Sequence, residues 1–157
     1  MIRLLGWLRS RQGEDQPTAR PIRDTDADWD EIGRTQPYFG VLTDPRFRTE
    51  AINEAARAAF FASGDAEIRH QLAIQRARFG PFEPRSALDF GCGVGRLTRA
   101  LGAVTTRALG IDVAPSMLAE ARRDAPETVA FATDLPDGLF DWIVSIIVFQ
   151  HIPQDRG

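Results

Sequence analysis

Cysteine is almost absent. Cys92 is the only one in 157 residues, so an intrachain disulfide is excluded and a metal site built on cysteines is not expected. Lysine is missing altogether. The 19 basic residues are all arginine, and 22 acids leave a formal net charge of −3. That balance makes no electrostatic case for nucleic acid as an obligate partner. No apolar run approaches the roughly 20 residues that span a bilayer. A reduced, cytoplasmic setting fits these absences. What remains, 43% hydrophobic residues, suffices for the core of one domain.

The most informative stretch is Ala87 to Arg99, ALDFGCGVGRLTR. Ala87, Leu88 and Phe90 form a short apolar run. Gly91, Cys92, Gly93, Val94 and Gly95 follow as a glycine-rich turn. Leu97, Ala100 and Leu101 then recur at helical spacing. This reads as strand, tight turn, helix. Such a unit puts bare backbone and a helix N-terminus at the carboxyl end of a strand, where α/β sheets bind ligands. The dinucleotide fingerprint G-x-G-x-x-G/A needs a small third residue. Counted from Gly91 and Gly93, that position is Arg96, which is too large. The third glycine falls one place earlier, at Gly95, and an acid sits at Asp89. This D-x-G-x-G-x-G pattern resembles motif I of the class I S-adenosylmethionine-dependent methyltransferases.

The resemblance continues downstream. Ala108 to Ile111 reads as a second strand with Asp112 at its carboxyl end. The position, roughly 20 residues past the glycines, suits an acid that accepts from ribose hydroxyls. Pro115 opens a helix carrying Met117 and Leu118, and Gly110 to Arg122 resembles the second methyltransferase motif. It implies that Val113 and Met117 pack near an adenine ring. Val129 to Ala132 is a third strand. By resemblance Asp134 accepts from the adenine amino group and Leu135 lies against the ring. Phe140 to Phe149 is the most apolar run and reads as a fourth strand, buried on both faces. Gln150 and His151 follow it. In the family this loop faces the transferred methyl group, so the resemblance offers His151 as a catalytic base; shaping the loop is the competing role.

Upstream, Met1 to Arg11 alternates apolar and arginine residues and reads as a basic amphipathic helix. It packs on the domain or a partner, with a membrane surface as the other option. Gln12 to Asp28 is polar and acidic and reads as a flexible linker. Residues 29–84 form a helical lead-in. Asp44 and Pro45 start a helix that ends near Ser63 and Gly64, and a second helix spans Asp65 to Phe79. Tyr38, Phe39 and His70 are candidates for a lid, against ordinary packing.

The expected fold is α/β. A Rossmann-like parallel sheet with flanking helices (three layers, α/β/α) occupies residues 85–157, preceded by N-terminal helices. The resemblance implies strand order 3-2-1-4 and a partial fold, since the complete one has seven strands; a fragment of a longer protein is therefore expected. It further implies S-adenosyl-L-methionine as cofactor. Asp89, Gly91, Cys92, Gly93 and Gly95 hold its methionine portion, Asp112 and Val113 with Met117 its adenosine, and no metal is required. The methyl acceptor is expected to be a small molecule. Family members that methylate DNA amino groups carry Asp/Asn-Pro-Pro-aromatic where this chain has Gln150-His151-Ile152-Pro153. The alternatives are an NAD(P)-dependent oxidoreductase and a non-catalytic S-adenosylmethionine-binding or interaction module.

Overall fold

A computed structural model describes residues 25–152. The expected amphipathic helix at residues 1–11 and most of the linker lie outside the described residues. Helices α1 (Thr25–Thr35), α2 (Pro37–Val41) and α3 (Glu54–Phe79) come first. They lead into β1 (Ser86–Phe90), α4 (Arg96–Val104), β2 (Arg107–Ile111), α5 (Pro115–Ala121), β3 (Val129–Ala132) and β4 (Trp142–Val144). All strand pairs are parallel, in the order β3-β2-β1-β4. This is the order expected of a parallel sheet with helical crossovers.

The register aligns the functional ends. Phe90 lies beside Ile111, and Ile111 beside Ala132, so the segments after β1, β2 and β3 emerge together. Asp141 fixes where β4 begins. Its carboxylate accepts from the Arg85 and Ser86 backbone N–H groups, each at 2.9 Å, and these bonds lower its pKa. One core joins Ile68 and Leu72 of α3 and Leu97 and Leu101 of α4 to Ala87, Ala108, Trp142 and Val144 of the sheet. A second gathers Tyr38, Phe47, Phe60, Val94 and Met117.

Four expectations are corrected. Residues 25–28, assigned to the linker, are the first turn of α1. Their acids, Asp26 and Asp28, sit where a helix dipole favours negative charge. The helix is also clasped to α5, because the Ser116 N–H donates to Asp30 Oδ1 (2.9 Å) and the Ser116 hydroxyl to the Asp30 carbonyl (2.6 Å). Asp44 and Pro45 start only a 3-10 turn, Pro45–Phe47, with Asp44 capping it. The long helix begins later, at Glu54, capped by Asn53 accepting from the Ala56 N–H.

The third correction is that α3 runs through Ser63 and Gly64 without a break. Gly64 is buried there because α4 crosses against it: a Cβ at this position would lie 2.3 Å from the Arg96 carbonyl oxygen. Glycine here permits close helix packing; it does not stop the helix. The fourth is that β4 has three residues, not ten, and only one buried face. Ile143, in register with Leu88, is 62% exposed. Beyond Val144 the Ser145 hydroxyl bonds to the Phe90 carbonyl. Ile147 then takes a φ of +61°, which an extended strand cannot contain and which strains a β-branched residue.

Gly64 supplies a test with an inverted sign. Alanine for glycine inside a helix normally stabilises by roughly 0.5–1 kcal/mol. Here Gly64→Ala forces α3 off Arg96, and overpacking of this kind costs about 1–3 kcal/mol. Urea unfolding is expected to show a lower midpoint for the variant. A higher midpoint would show that α3 and α4 are not in close contact.

Candidate active site

The glycine turn is pinned to the end of β2 by backbone donors. The Gly91 and Cys92 N–H groups both donate to the Ile111 carbonyl at 2.9 Å. The Gly93 N–H donates to Asp112 Oδ2 at 2.8 Å. Gly95 caps α4 in the left-handed region, φ +78°, where glycine is preferred. A Cβ there would also meet the Phe131 ring at 2.8 Å. Gly95 therefore supports the turn without lining the cleft beside it.

That cleft has a volume of about 390 Å³. Asp89, Gly91, Cys92, Gly93, Asp112, Val113, Met117, Leu135 and His151 all line it. Nine of the eleven residues singled out from the sequence thus meet in one place. Asp134 does not. Its side chain is exposed, and its carboxylate accepts from Thr133 Oγ1 at 3.1 Å, while Thr133 and Leu135 on either side reach the cleft. Tyr38, Phe39 and His70 behave as packing or surface residues. Tyr38 is buried against Phe60, donates to Glu120 and accepts from Arg57. Phe39 lies under the Arg48 guanidinium, and His70 is exposed.

Three acids or potential nucleophiles differ by environment. Asp89 is 2% exposed, and burial pushes its carboxyl up to about 6 against the lowering effects of the Thr98 hydrogen bond and Arg96. The Thr98 hydroxyl donates to Asp89 Oδ2 at 2.6 Å. Asp112 is less enclosed. Burial raises its pKa, while the N–H groups of Ala114 (2.9 Å, to Oδ1) and Gly93 lower it. Each Asp112 oxygen therefore has one backbone donor, leaving about two of the four acceptor directions of a carboxylate open. Burial pushes the Cys92 thiol well above its usual value, so Cys92 is a packing residue and not a nucleophile.

Sequence reasoning missed part of the site. Thr98 lies one helical turn past Gly95 and faces the sheet, a signal available from spacing alone. Arg96 entered only as a residue too large for a dinucleotide turn, yet its side chain lines the cleft. From the lead-in, Thr25, Asp26 and Trp29 of α1, Val41 of α2 and Leu42 after it also line the cleft. Trp29 meets the His151 ring edge to face, with centroids 5.2 Å apart. Nothing in the polar segment around Trp29 marks it as a cleft residue.

Residues 88–157 match the family profile described as a methyltransferase domain. Over these residues the chain is similar to methyltransferase domains. A curated relative, the ubiquinone biosynthesis O-methyltransferase of Methylococcus capsulatus, is 35% identical over 79 residues. The match covers 44% of this chain and 33% of the relative, so the chain spans about a third of that protein's length. Among solved structures, magnesium protoporphyrin IX methyltransferase of Synechocystis PCC 6803 with bound S-adenosylhomocysteine superposes with a TM-score of 0.55 at 19% identity. It covers 84% of this chain and 63% of that one. A phosphoethanolamine N-methyltransferase of Haemonchus contortus gives 0.56 at 15% identity, covering 82% and 26%. These two show that the chain shares their fold.

The burial of Asp89 predicts a pH dependence. Its folded-state pKa of about 6 exceeds the ordinary value of 3.8, so the folded chain keeps this proton after the unfolded chain has lost it. Stability contributed at this site falls as pH rises from about 4 towards 7. Asp89→Asn removes that fall. The stability of the variant relative to wild type is expected to grow by roughly 2–3 kcal/mol over this interval, read from urea unfolding at both ends. A difference independent of pH would place the Asp89 carboxyl in contact with water.

Proposed function

We propose that this chain binds S-adenosylmethionine in the cleft between the glycine turn, Asp112 and α1, and that it serves methyl transfer to a small-molecule acceptor. The observation that carries this reading is the Asp112 carboxylate. It stands at the end of β2, tied to the Gly93 N–H, with acceptor capacity left for two neighbouring hydroxyls such as those of a ribose. Two further features fit the cofactor. Met117 and Val113 offer an apolar surface beside Asp112. Asp89, buried and acidic, suits an ammonium group near the turn.

The cofactor supplies a methyl group on a sulfonium, which is already a good leaving group. The chain's own contribution is then positional, because aligning the reactants accounts for much of the rate in such a transfer. Trp29, Ile147 and His151 line the cleft and are suited to orient an acceptor. His151 takes the acceptor proton where the nucleophile carries one. A hydroxyl acceptor, the oxygen class named for the Methylococcus relative, is such a case. Asp134 keeps its proposed adenine role only if the exposed segment around it folds inward. A cytoplasmic setting belongs to the same reading and rests on the single cysteine of the sequence.

Two substitutions test these roles. A hydrogen bond to a charged group contributes about 1.5–3 kcal/mol, so Asp112→Ala is expected to weaken S-adenosylhomocysteine binding by roughly ten- to a hundredfold. Asp112→Asn, which keeps an acceptor for the Gly93 N–H, should lose less. Unchanged affinity in both folded variants removes Asp112 from the site. For His151→Ala, turnover at saturating cofactor is expected to fall by about 10²-fold or more if the residue is the base. A near-normal rate would assign His151 to loop shape alone.

A further inference from the structure

Two aromatic rings from distant parts of the chain meet in the cleft lining, and they are held very differently. Trp29 is fixed from behind. On α1 it precedes Asp30, whose Oδ1 and carbonyl accept from the Ser116 N–H and hydroxyl. One turn further on, Gly33 removes the Cβ that would collide with Ser116 and Met117. The indole itself packs against the core cluster that contains Val94 and Met117.

His151 has no such backing. It ends the 3-10 turn Phe149–His151, which follows the short strand β4 and starts without a side-chain cap. The loop is tied down ahead of the histidine. The Ser145 hydroxyl bonds to the Phe90 carbonyl, and the Phe149 ring stacks on Phe90 with centroids 5.7 Å apart. His151 is exposed, and its Nε2 lies 3.1 Å from the side-chain nitrogen of its neighbour Gln150. An exposed imidazole moves between rotamers unless something outside its own loop holds it. The Trp29 ring supplies that support, with 5.2 Å between centroids and 79° between planes.

We propose that Trp29 is the positioning residue for His151, holding the imidazole in one orientation in the cleft lining. The inference rests on the reading of the cleft as the site of methyl transfer with His151 as the base, and adds what keeps that base ready. A base works only within hydrogen-bond reach of the proton it takes, so the orientation of the imidazole decides whether His151 can serve. An edge-to-face ring pair shifts a local equilibrium by roughly two- to tenfold. That is enough to favour one orientation and too little to freeze the loop. Trp29 lies outside residues 88–157, the stretch that matches the methyltransferase profile, so the role falls to the lead-in helices.

The test reads the two histidines of the chain, His70 and His151, in wild type, Trp29→Leu and Trp29→Phe. His70, exposed on α3, is the internal reference. Carbethoxylation by diethyl pyrocarbonate, followed by mass spectrometry, reads how often each imidazole is free. Relative to His70, the His151 rate is expected to rise roughly two- to tenfold in Trp29→Leu and to return towards the wild-type value in Trp29→Phe, which keeps a ring. An unchanged ratio in Trp29→Leu, or a Phe variant no better than the Leu variant, overturns the assignment. Should the variants not fold, proton NMR of wild type decides. A nuclear Overhauser contact between the His151 and Trp29 rings supports the assignment, and its absence overturns it. Wild type that does not bind S-adenosylhomocysteine, or near-normal turnover by His151→Ala, overturns the reading on which the inference rests. Binding and turnover as expected, with a carbethoxylation ratio that the Trp29 substitutions do not move, overturns Trp29 alone.

Discussion

The bond from the Gly93 N–H to the Asp112 carboxylate is the contact on which the site depends. It joins the turn after β1 to the end of β2, two segments that the sequence separates by an intervening helix. With the Gly91 and Cys92 N–H groups on the Ile111 carbonyl, it leaves the turn with little freedom to swing. The direction in which α4 leaves follows from that anchoring, and so does the position of Arg96. The same carboxylate accepts from the N–H of Ala114, the residue before α5. One side chain therefore sets the spacing of β1, β2 and two helices around the cleft, while keeping acceptor capacity for a ligand.

Two close contacts complete the cleft walls. Gly64 lets α3 press on the backbone of Arg96, and Gly33 does the same for α1 on α5, where a Cβ would lie 2.1 Å from the Ser116 hydroxyl. The second contact holds α1, and with it Trp29, across from the glycine turn. Both depend on a missing side chain. The helices before the sheet are therefore part of the site's architecture, joined to the rest of the fold by backbone packing as much as by apolar burial.

Legibility in the sequence followed the range of the interactions concerned. Strands β1 and β2 were readable because their apolar runs end at glycine or Asp, and β3 has the bounds expected. Asp112 was readable because its distance from the glycines is set by one strand-helix-strand unit. The interruption expected at Gly64 was not real, since glycine disfavours a helix locally but permits a packing contact that only the tertiary structure supplies. The run from Phe140 to Phe149 looked like one buried strand because apolar content cannot distinguish a strand from a cleft-lining loop. Ile147, with its positive φ, and Ile143, with its exposed side chain, are invisible to such a count. Thr98 and Arg96 escaped because the resemblance directs attention to the acid and the glycines. Helical spacing from Gly95 was enough to turn Thr98 toward Asp89, whereas the place of Arg96 in the cleft lining comes from tertiary packing.

The central claim is that the anchored turn and Asp112 recognise an adenosyl amino acid and not a dinucleotide. Calorimetric titration of this chain with S-adenosylhomocysteine and, separately, with NAD tests it most directly. The account predicts saturable one-to-one binding of S-adenosylhomocysteine and no heat of binding with NAD. Binding of NAD in preference, or of neither ligand by a chain that unfolds cooperatively, would contradict it.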